Sequence, residues 1–223
     1  ENMFSEIVDL FPSKYIHIGG DEARKIQWKN SKIIQNQMKE LGLKDENELQ
    51  SYFIKRIEKF LNSKGKKIIG WDEIIDGGLA PNATVMSWRG EEGAIHAAKS
   101  GHDAIMTPTS HCYFDYYQDK PNNEPLAIGG LLPLKKVYLY EPIPQGLSNE
   151  ESKKILGAQG NLWTEYIKKP KDVEYMIIPR MTALSEVVWS PRKLRNLGEF
   201  KKRLKSFKFF YDKINVNYRK KDF

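Results

Sequence analysis

Cysteine is nearly absent from this sequence: of 223 residues, Cys112 is the single example. One cysteine excludes an intrachain disulfide and a metal cluster built on the usual Cys/His spacing. His96, His102 and His111 offer no ligand spacing either, so no metal and no cofactor are expected. Long apolar runs are also missing. Nothing approaches the roughly 18 apolar residues in a row that a membrane-spanning helix needs. No charged segment followed by an apolar block reads as a signal peptide, and no repeat or low-complexity tract stands out. The segment from Glu1 to Leu10 already reads as an amphipathic helix with Phe4, Ile7 and Val8 on one face, so the protein is expected to start upstream of Glu1.

The hydrophobic content of 40% suits a globular domain with one sizeable core, and the expectation is a single domain over 1–223. The net charge of +7 is concentrated late in the chain, at Lys201, Lys202, Arg203, Lys205 and Lys208 on the polar side of a predicted helix. A solvated face is the commoner origin of such a cluster, and an electrostatic contact with polyanions or membranes is the other.

Short β-branched or aromatic runs alternate with helical patterns, the signature of parallel βα units. Five strands can be named: Tyr15 to Gly19, Lys67 to Trp71, Thr84 to Trp88, Asp103 to Met106, and Ile155 to Asn161. Helices are predicted over Asn47 to Asn62, over Glu91 to Lys99, and over Asp172 to Val188 with a kink at Pro179. Phe200, Leu204, Phe207, Tyr211 and Ile214 form a further apolar stripe, more often core packing than the alternative, a partner-binding surface. Between Tyr113 and Asn149 the periodicity fades, and a long functional loop or small insertion is expected.

Unusual polar and aromatic residues gather at the C-terminal ends of these strands, where parallel βα folds build their sites. His17-Ile18-Gly19-Gly20-Asp21-Glu22 ends the first strand and Gly70-Trp71-Asp72-Glu73 the second. Ser87-Trp88-Arg89-Gly90 and Gly160-Asn161-Leu162-Trp163-Thr164-Glu165 end the third and fifth. An adjacent Asp-Glu pair is often only a helix cap, but glycines before it let the backbone turn both carboxylates toward one pocket. Like charges in a partly desolvated site do not ionise together cheaply, so one carboxyl is expected to hold a proton and act as an acid. Trp71, Trp88 and Trp163 are either rim packing or the flat wall of a sugar pocket, with Tyr113, Asp115 and Glu165 as candidates for gripping hydroxyls. His17, on the strand itself, is either a hydrogen-bonded core histidine or part of the site.

His17-Ile-Gly-Gly-Asp21-Glu22 resembles the His-x-Gly-Gly-Asp-Glu signature of glycoside hydrolase family 20, the β-N-acetylhexosaminidases. Gly-Trp-Asp-Glu at 70–73, Ser87-Trp88, Tyr113-Phe-Asp115 and Trp163-Thr-Glu165 resemble the family's later strand-end motifs, in the family's order, so the likeness covers about Tyr15 to Pro191. It implies an α/β fold, a TIM-type (β/α)8 barrel. Such a barrel takes roughly 250 residues and eight strands, so this chain is expected to carry about strands 4 to 8 as the C-terminal portion of the catalytic domain. A missing N-terminal segment or a second copy would then cover the exposed sheet edges.

The resemblance further implies retaining, substrate-assisted hydrolysis of terminal N-acetylglucosamine or N-acetylgalactosamine through an oxazolinium intermediate, an exception to the two-carboxylate rule of glycosidases. Glu22 is then the acid and base, Asp21 orients the acetamido group and Tyr113 donates to its oxygen. Trp71, Trp88 and Trp163 line the pocket with His17 nearby, and Asp115 and Glu165 hold ring hydroxyls. The implied partner is an N-acetylhexosamine-containing glycan or glycoconjugate, and the family favours a periplasmic or secreted location. No nucleic-acid partner is expected, and a phosphate- or nucleotide-binding α/β protein is a weaker reading: Gly19-Gly20 lacks the spacing of a dinucleotide fingerprint or phosphate-binding loop, and the acids behind it would repel phosphate. The chitinase run Asp-x-x-Asp-x-Asp-x-Glu is absent. The alternative is a truncated, inactive fragment serving only carbohydrate binding or assembly.

Overall fold

The computed structural model describes residues 1–223. In chain order the elements are α1 (Asn2–Leu10), β1 (Tyr15–His17), α2 (Ile26–Asn30), α3 (Lys32–Glu40), α4 (Glu46–Ser63), β2 (Lys67–Trp71), β3 (Thr84–Ser87), α5 (Glu92–Lys99), β4 (Ala104–Met106), α6 (Thr109–Cys112), α7 (Leu134–Tyr138), α8 (Asn149–Ser152), β5 (Ile155–Ala158), α9 (Pro170–Ile177), α10 (Arg180–Trp189) and α11 (Leu197–Lys213). The strands form one sheet in the order β1-β2-β3-β4-β5, the order of the sequence. Parallel neighbours in sequential order require a crossover between each pair, which the intervening helices supply.

The chain divides into two compact units, one of Glu1–Ile105 with Gln145–Leu156, the other of Met106–Pro144 with Gly157–Phe223. In the first unit β2 pairs in parallel with both β1 and β3, setting Ile16 beside Ile68 and Gly70 beside Val85. Leu61 of α4, Ile68 and Val85 are wholly buried, each such side chain contributing roughly 1.5–3 kcal/mol to the core. The start of α4 is fixed by Asp45, whose carboxylate accepts hydrogen bonds from the Asn47 and Glu48 amides at 2.9 Å. Gly65, at φ 73°, reverses the chain after its end.

The second unit is centred on α7, α10 and the start of α11. Phe114, Leu132, Val137 and Ala183 are fully buried, with Phe200 and Leu204 nearly so. The Phe200 ring stacks on Tyr138 at 4.5 Å. Pro179 does more than kink the predicted helix: lacking an N–H, it separates α9 from α10.

Three expectations need correction. Residues 22–46 hold two short helices, α2 and α3, beyond those expected: Ile34 and Met38 lie one turn apart on α3, but only Met38 is buried there and Ile33 is 80% exposed. The stripe on α11 is core only at Phe200 and Leu204. Phe207 and Ile214 are about half exposed, while Tyr211 between them meets both α10, hydroxyl to hydroxyl with Thr182 at 2.9 Å, and the chain end, its ring 5.6 Å from that of Tyr218. The strands also stop earlier than the β-branched runs suggested, at His17, Ser87 and Ala158, because the following residues turn to build the strand-end motifs. Lys201, Lys202, Arg203, Lys205 and Lys208 are all exposed, as a solvated face would be.

Candidate active site

Each unit carries its own cluster of the chemistry-bearing residues. In the first, β1 ends at His17 and the chain continues through Gly19 at φ 73°, Gly20 at φ 98° and Glu22 at φ 49°. Left-handed conformations are open to glycine and uncommon for a glutamate, so the Glu22 backbone is held in a sparsely populated region, as functional residues often are. No side chain fits at Gly20: a Cβ there would lie 2.5 Å from Ile74 Cγ2. The turn is tied down on both sides. Trp71 N–H donates to Gly19 O at 2.9 Å, and buried Gln50 donates from Nε2 to Gly20 O at 2.8 Å.

His17 is part of this turn and not a core residue, since much of it is exposed. Its Nδ1 accepts the Gly19 N–H at 3.1 Å, which fixes the proton on Nε2, and its ring lies 4.9 Å from that of Trp71. Desolvation of the ring lowers its pKa below the ordinary value, with the charge of Asp21 acting in the opposite direction. Asp21 therefore sits within electrostatic reach of a histidine that rests on Trp71. Both Asp21 and Glu22 are exposed within this unit, a difference from the partly desolvated pair the sequence suggested.

Asp72, Glu73 and Arg89, which carry no expected role beyond their place in the strand-end motifs, organise the next two strand ends. Trp88 donates its indole N–H to Glu73 Oε2 at 3.0 Å. Arg89 Nε donates to buried Asp72 Oδ1 at 2.7 Å and approaches Glu73 within 3.9 Å. Burial raises the Asp72 pKa, the Arg89 hydrogen bond lowers it and Glu73 raises it again. The signal was present in the sequence: acids and an arginine stood beside two strand-end tryptophans. Gly93 permits the close approach, since a Cβ there would stand 2.6 Å from Asp72 Cβ.

In the second unit, Tyr113 follows α6 and bridges in parallel to Asn161. Gly160 leaves room for Phe114, whose ring a Cβ would meet at 2.4 Å. Burial pushes the Tyr113 phenol up to about 12, against hydrogen bonds with Trp163 and Asn161. It is therefore a hydrogen-bond donor at any physiological pH. Asp115 is buried, and its pKa is pushed up to about 6, first by burial and then by Glu165, while Arg180 opposes. Asp115 Oδ1 receives no hydrogen bond from the protein. Asp115, Trp163 and Glu165 line one cavity of about 540 Å³ with Leu126, Ile128 and Tyr175, within the size range of small-molecule sites. Trp163 and Glu165 are exposed.

Arg180 anchors this cluster from behind and was not recognised in the sequence. It is fully buried, donates to the carbonyl oxygens of Phe114, Tyr116, Leu132 and Met176, and lies 5.1 Å from the Phe114 ring centroid. Burial lowers its pKa to about 9. Five N–H donors in a rigid plane suit a residue that must tie several backbone segments together.

Parallel βα units bearing carboxylates, a tyrosine and tryptophans at their strand ends define the class: an α/β protein of the TIM-barrel type, of which this chain carries five strands. Residues 1–192 match the catalytic domain of glycosyl hydrolase family 20, and the chain belongs to that family. It is 49% identical over 218 residues to a β-hexosaminidase of Porphyromonas gingivalis, covering 97% of this chain and 28% of that protein. To a β-hexosaminidase of Vibrio furnissii it is 39% identical over 186 residues, 82% of this chain and 30% of that one. A crystal structure of the family 20 exo-β-N-acetylglucosaminidase of Vibrio harveyi, in complex with N-acetylglucosamine, superposes with a TM-score of 0.89 at 36% identity, over 98% of this chain and 35% of that chain. The chain thus spans less than a third of the length of these two β-hexosaminidases. No helix is long and apolar enough to cross a membrane.

Proposed function

We propose that this chain carries the reacting groups of a retaining exo-β-N-acetylhexosaminidase that uses the substrate's own acetamido group as nucleophile. The observation that carries the reading is the turn at 19–22, where two left-handed glycines and a left-handed glutamate present adjacent carboxylates beside His17 and Trp71. A helix cap needs no such backbone.

In this mechanism the acetamido oxygen attacks the anomeric carbon while Glu22 gives its proton to the departing glycosidic oxygen. The C–O bond to the leaving group breaks as the oxazolinium ring closes. Glu22, now a carboxylate, takes a proton from water, whose oxygen opens the ring at the anomeric carbon with net retention. Asp21 orients the acetamido N–H and balances the positive charge on it. Tyr113, kept protonated by burial, donates to the acetamido oxygen. Holding an intramolecular nucleophile in line is worth up to about 7–11 kcal/mol of barrier, which is why the turn must be rigid. His17, neutral with Nδ1 satisfied by the turn, is a positioning residue for Asp21. Trp71, Trp88 and Trp163 offer apolar faces to the sugar, and Asp115 and Glu165 accept from its hydroxyls. The unpartnered Asp115 Oδ1 is an acceptor waiting for such a donor.

The test compares an aryl β-N-acetylglucosaminide with the aryl β-glucoside that has a hydroxyl in place of the acetamido group. Turnover of the first alone, with the β-anomer released initially, is expected. Comparable hydrolysis of both would remove the acetamido nucleophile, and binding of N-acetylglucosamine without turnover would favour the inactive-fragment alternative.

A further inference from the structure

The family match ends at residue 192, yet the chain that follows returns to the cavity lined by Asp115, Trp163 and Glu165. Asn217 lines it directly, docked on α9 through its N–H to Glu174 and its side-chain amide to Lys171 O. Arg219 follows, 6% exposed at its side chain, and its guanidinium meets Glu124, whose side chain is 2% exposed. Nε and Nη2 of Arg219 donate to Glu124 Oε1 at 2.8 and 2.7 Å, and the other carboxylate oxygen accepts the Tyr175 hydroxyl at 2.8 Å. Asp222 lies 2.9 Å from Arg219 Nη1, and Asp119 is 3.5 Å from Nη2.

The position of this pair matters more than its strength. Glu124 immediately precedes Pro125, Leu126, Ala127 and Ile128, which with Tyr175 form the apolar side of the cavity. Leu126 and Ile128 belong to no helix or strand and are exposed, so buried Ala127 between them and the anchors on either side of the segment fix where they stand. Arg219 is itself held by its neighbours. Its N–H donates to Ile178 O at 3.2 Å, and the Tyr218 ring beside it is 2% exposed and lies 4.6 Å from Phe223.

We propose that Arg219 is a positioning residue for the sugar pocket: through Glu124 and Tyr175 it fixes the 125–128 wall in the cavity that Asp115 and Glu165 line, and so sets substrate affinity. This rests on the functional reading above and adds a residue outside the family match to the pocket's specificity.

Tyr175→Phe keeps the ring that lines the cavity and deletes only the hydroxyl that donates to Glu124, leaving the buried ion pair in place. KM for an aryl β-N-acetylglucosaminide and the dissociation constant of N-acetylglucosamine are expected to rise about 3- to 10-fold, the loss of one hydrogen bond's worth of wall positioning, with kcat moving less than twofold. Arg219→Lys, which keeps the charge but not the planar two-nitrogen contact, should show the same split, and Arg219→Gln a larger one. Variants that melt earlier while KM and product affinity stay at wild-type values would overturn the proposal and leave the functional reading intact. A wild-type enzyme that neither turns over nor binds the sugar would defeat both.

Discussion

The two clusters of strand-end residues are fixed by opposite physical means. The acidic turn at 19–22 is exposed, and its geometry is set by backbone: glycines in left-handed conformations, a histidine nitrogen and a glutamine amide holding carbonyl and N–H groups in place. The cluster around Tyr113 and Asp115 is buried, and its chemistry is set by desolvation, which lifts both pKa values while Arg180 ties the surrounding backbone together. The contrast suits the division of labour proposed above. A group that must exchange protons with substrate and water gains from access, whereas groups that only orient a sugar gain from a dry, fixed surround.

The comparison breaks most visibly at Arg180. Replacing it with Leu strands four backbone carbonyls in the core, so destabilisation of at least about 4 kcal/mol is expected in denaturant unfolding. A loss under about 1 kcal/mol would mean that those carbonyls find other donors and that the second cluster is not clamped in this way.

Next comes Asp21→Asn, which leaves the turn's backbone intact and removes a charge. Turnover of aryl N-acetylglucosaminides should fall about 10²- to 10³-fold, with unfolding unchanged because the side chain is exposed. Equal losses of stability and activity would show that the carboxylate serves the fold.

Asp115 yields the smallest effect, and its sign is opposite to that of a salt-bridged acid. Burial raises its pKa from 3.8 to about 6, so the folded protein binds this proton more tightly than the unfolded chain does. Its contribution to stability is complete below about pH 4 and is lost as pH rises through 6, on the order of 3 kcal/mol at most. Relative to Asp115→Asn, the wild-type protein should therefore lose melting temperature between pH 4 and 7. A difference that stays flat across that window would show the carboxyl to be solvated.

Much of the fold could be read from sequence because it rests on short-range signals. β-Branched runs such as Lys67-Ile68-Ile69 mark strands, and the helical spacing of Leu49, Tyr52, Phe53, Ile57, Phe60 and Leu61 marks α4, although the buried face runs through Ile54, Ile57 and Leu61 and leaves Phe53 exposed. Strand-end motifs were legible for the same reason: a His-x-Gly-Gly-Asp-Glu run needs no partner to be noticed. Residues whose meaning lies in distant contacts stayed hidden. Arg180 sits in a helix where an arginine ordinarily reads as surface, and its partners Phe114 and Tyr116 are more than sixty residues away. Arg219 and Glu124 are 95 residues apart, and neither belongs to a periodic pattern that would link them. Helix α2 is a single short turn of five residues and buries nothing, and α3 buries only Met38, so its Ile34 and Met38, one turn apart, are too few to set it apart from a loop.

The claim on which the rest depends is that Glu22 delivers the proton to the leaving group, and its most direct measurement pairs Glu22→Gln with two substrates of unlike leaving groups. An amide in place of the acid should slow release of a sugar alcohol by about 10²- to 10⁴-fold, while an acidic nitrophenol, which needs little protonation to depart, should suffer far less in the bond-breaking step. Wild-type rates with both substrates, or the same loss with each in pre-steady-state measurements, would contradict the assignment.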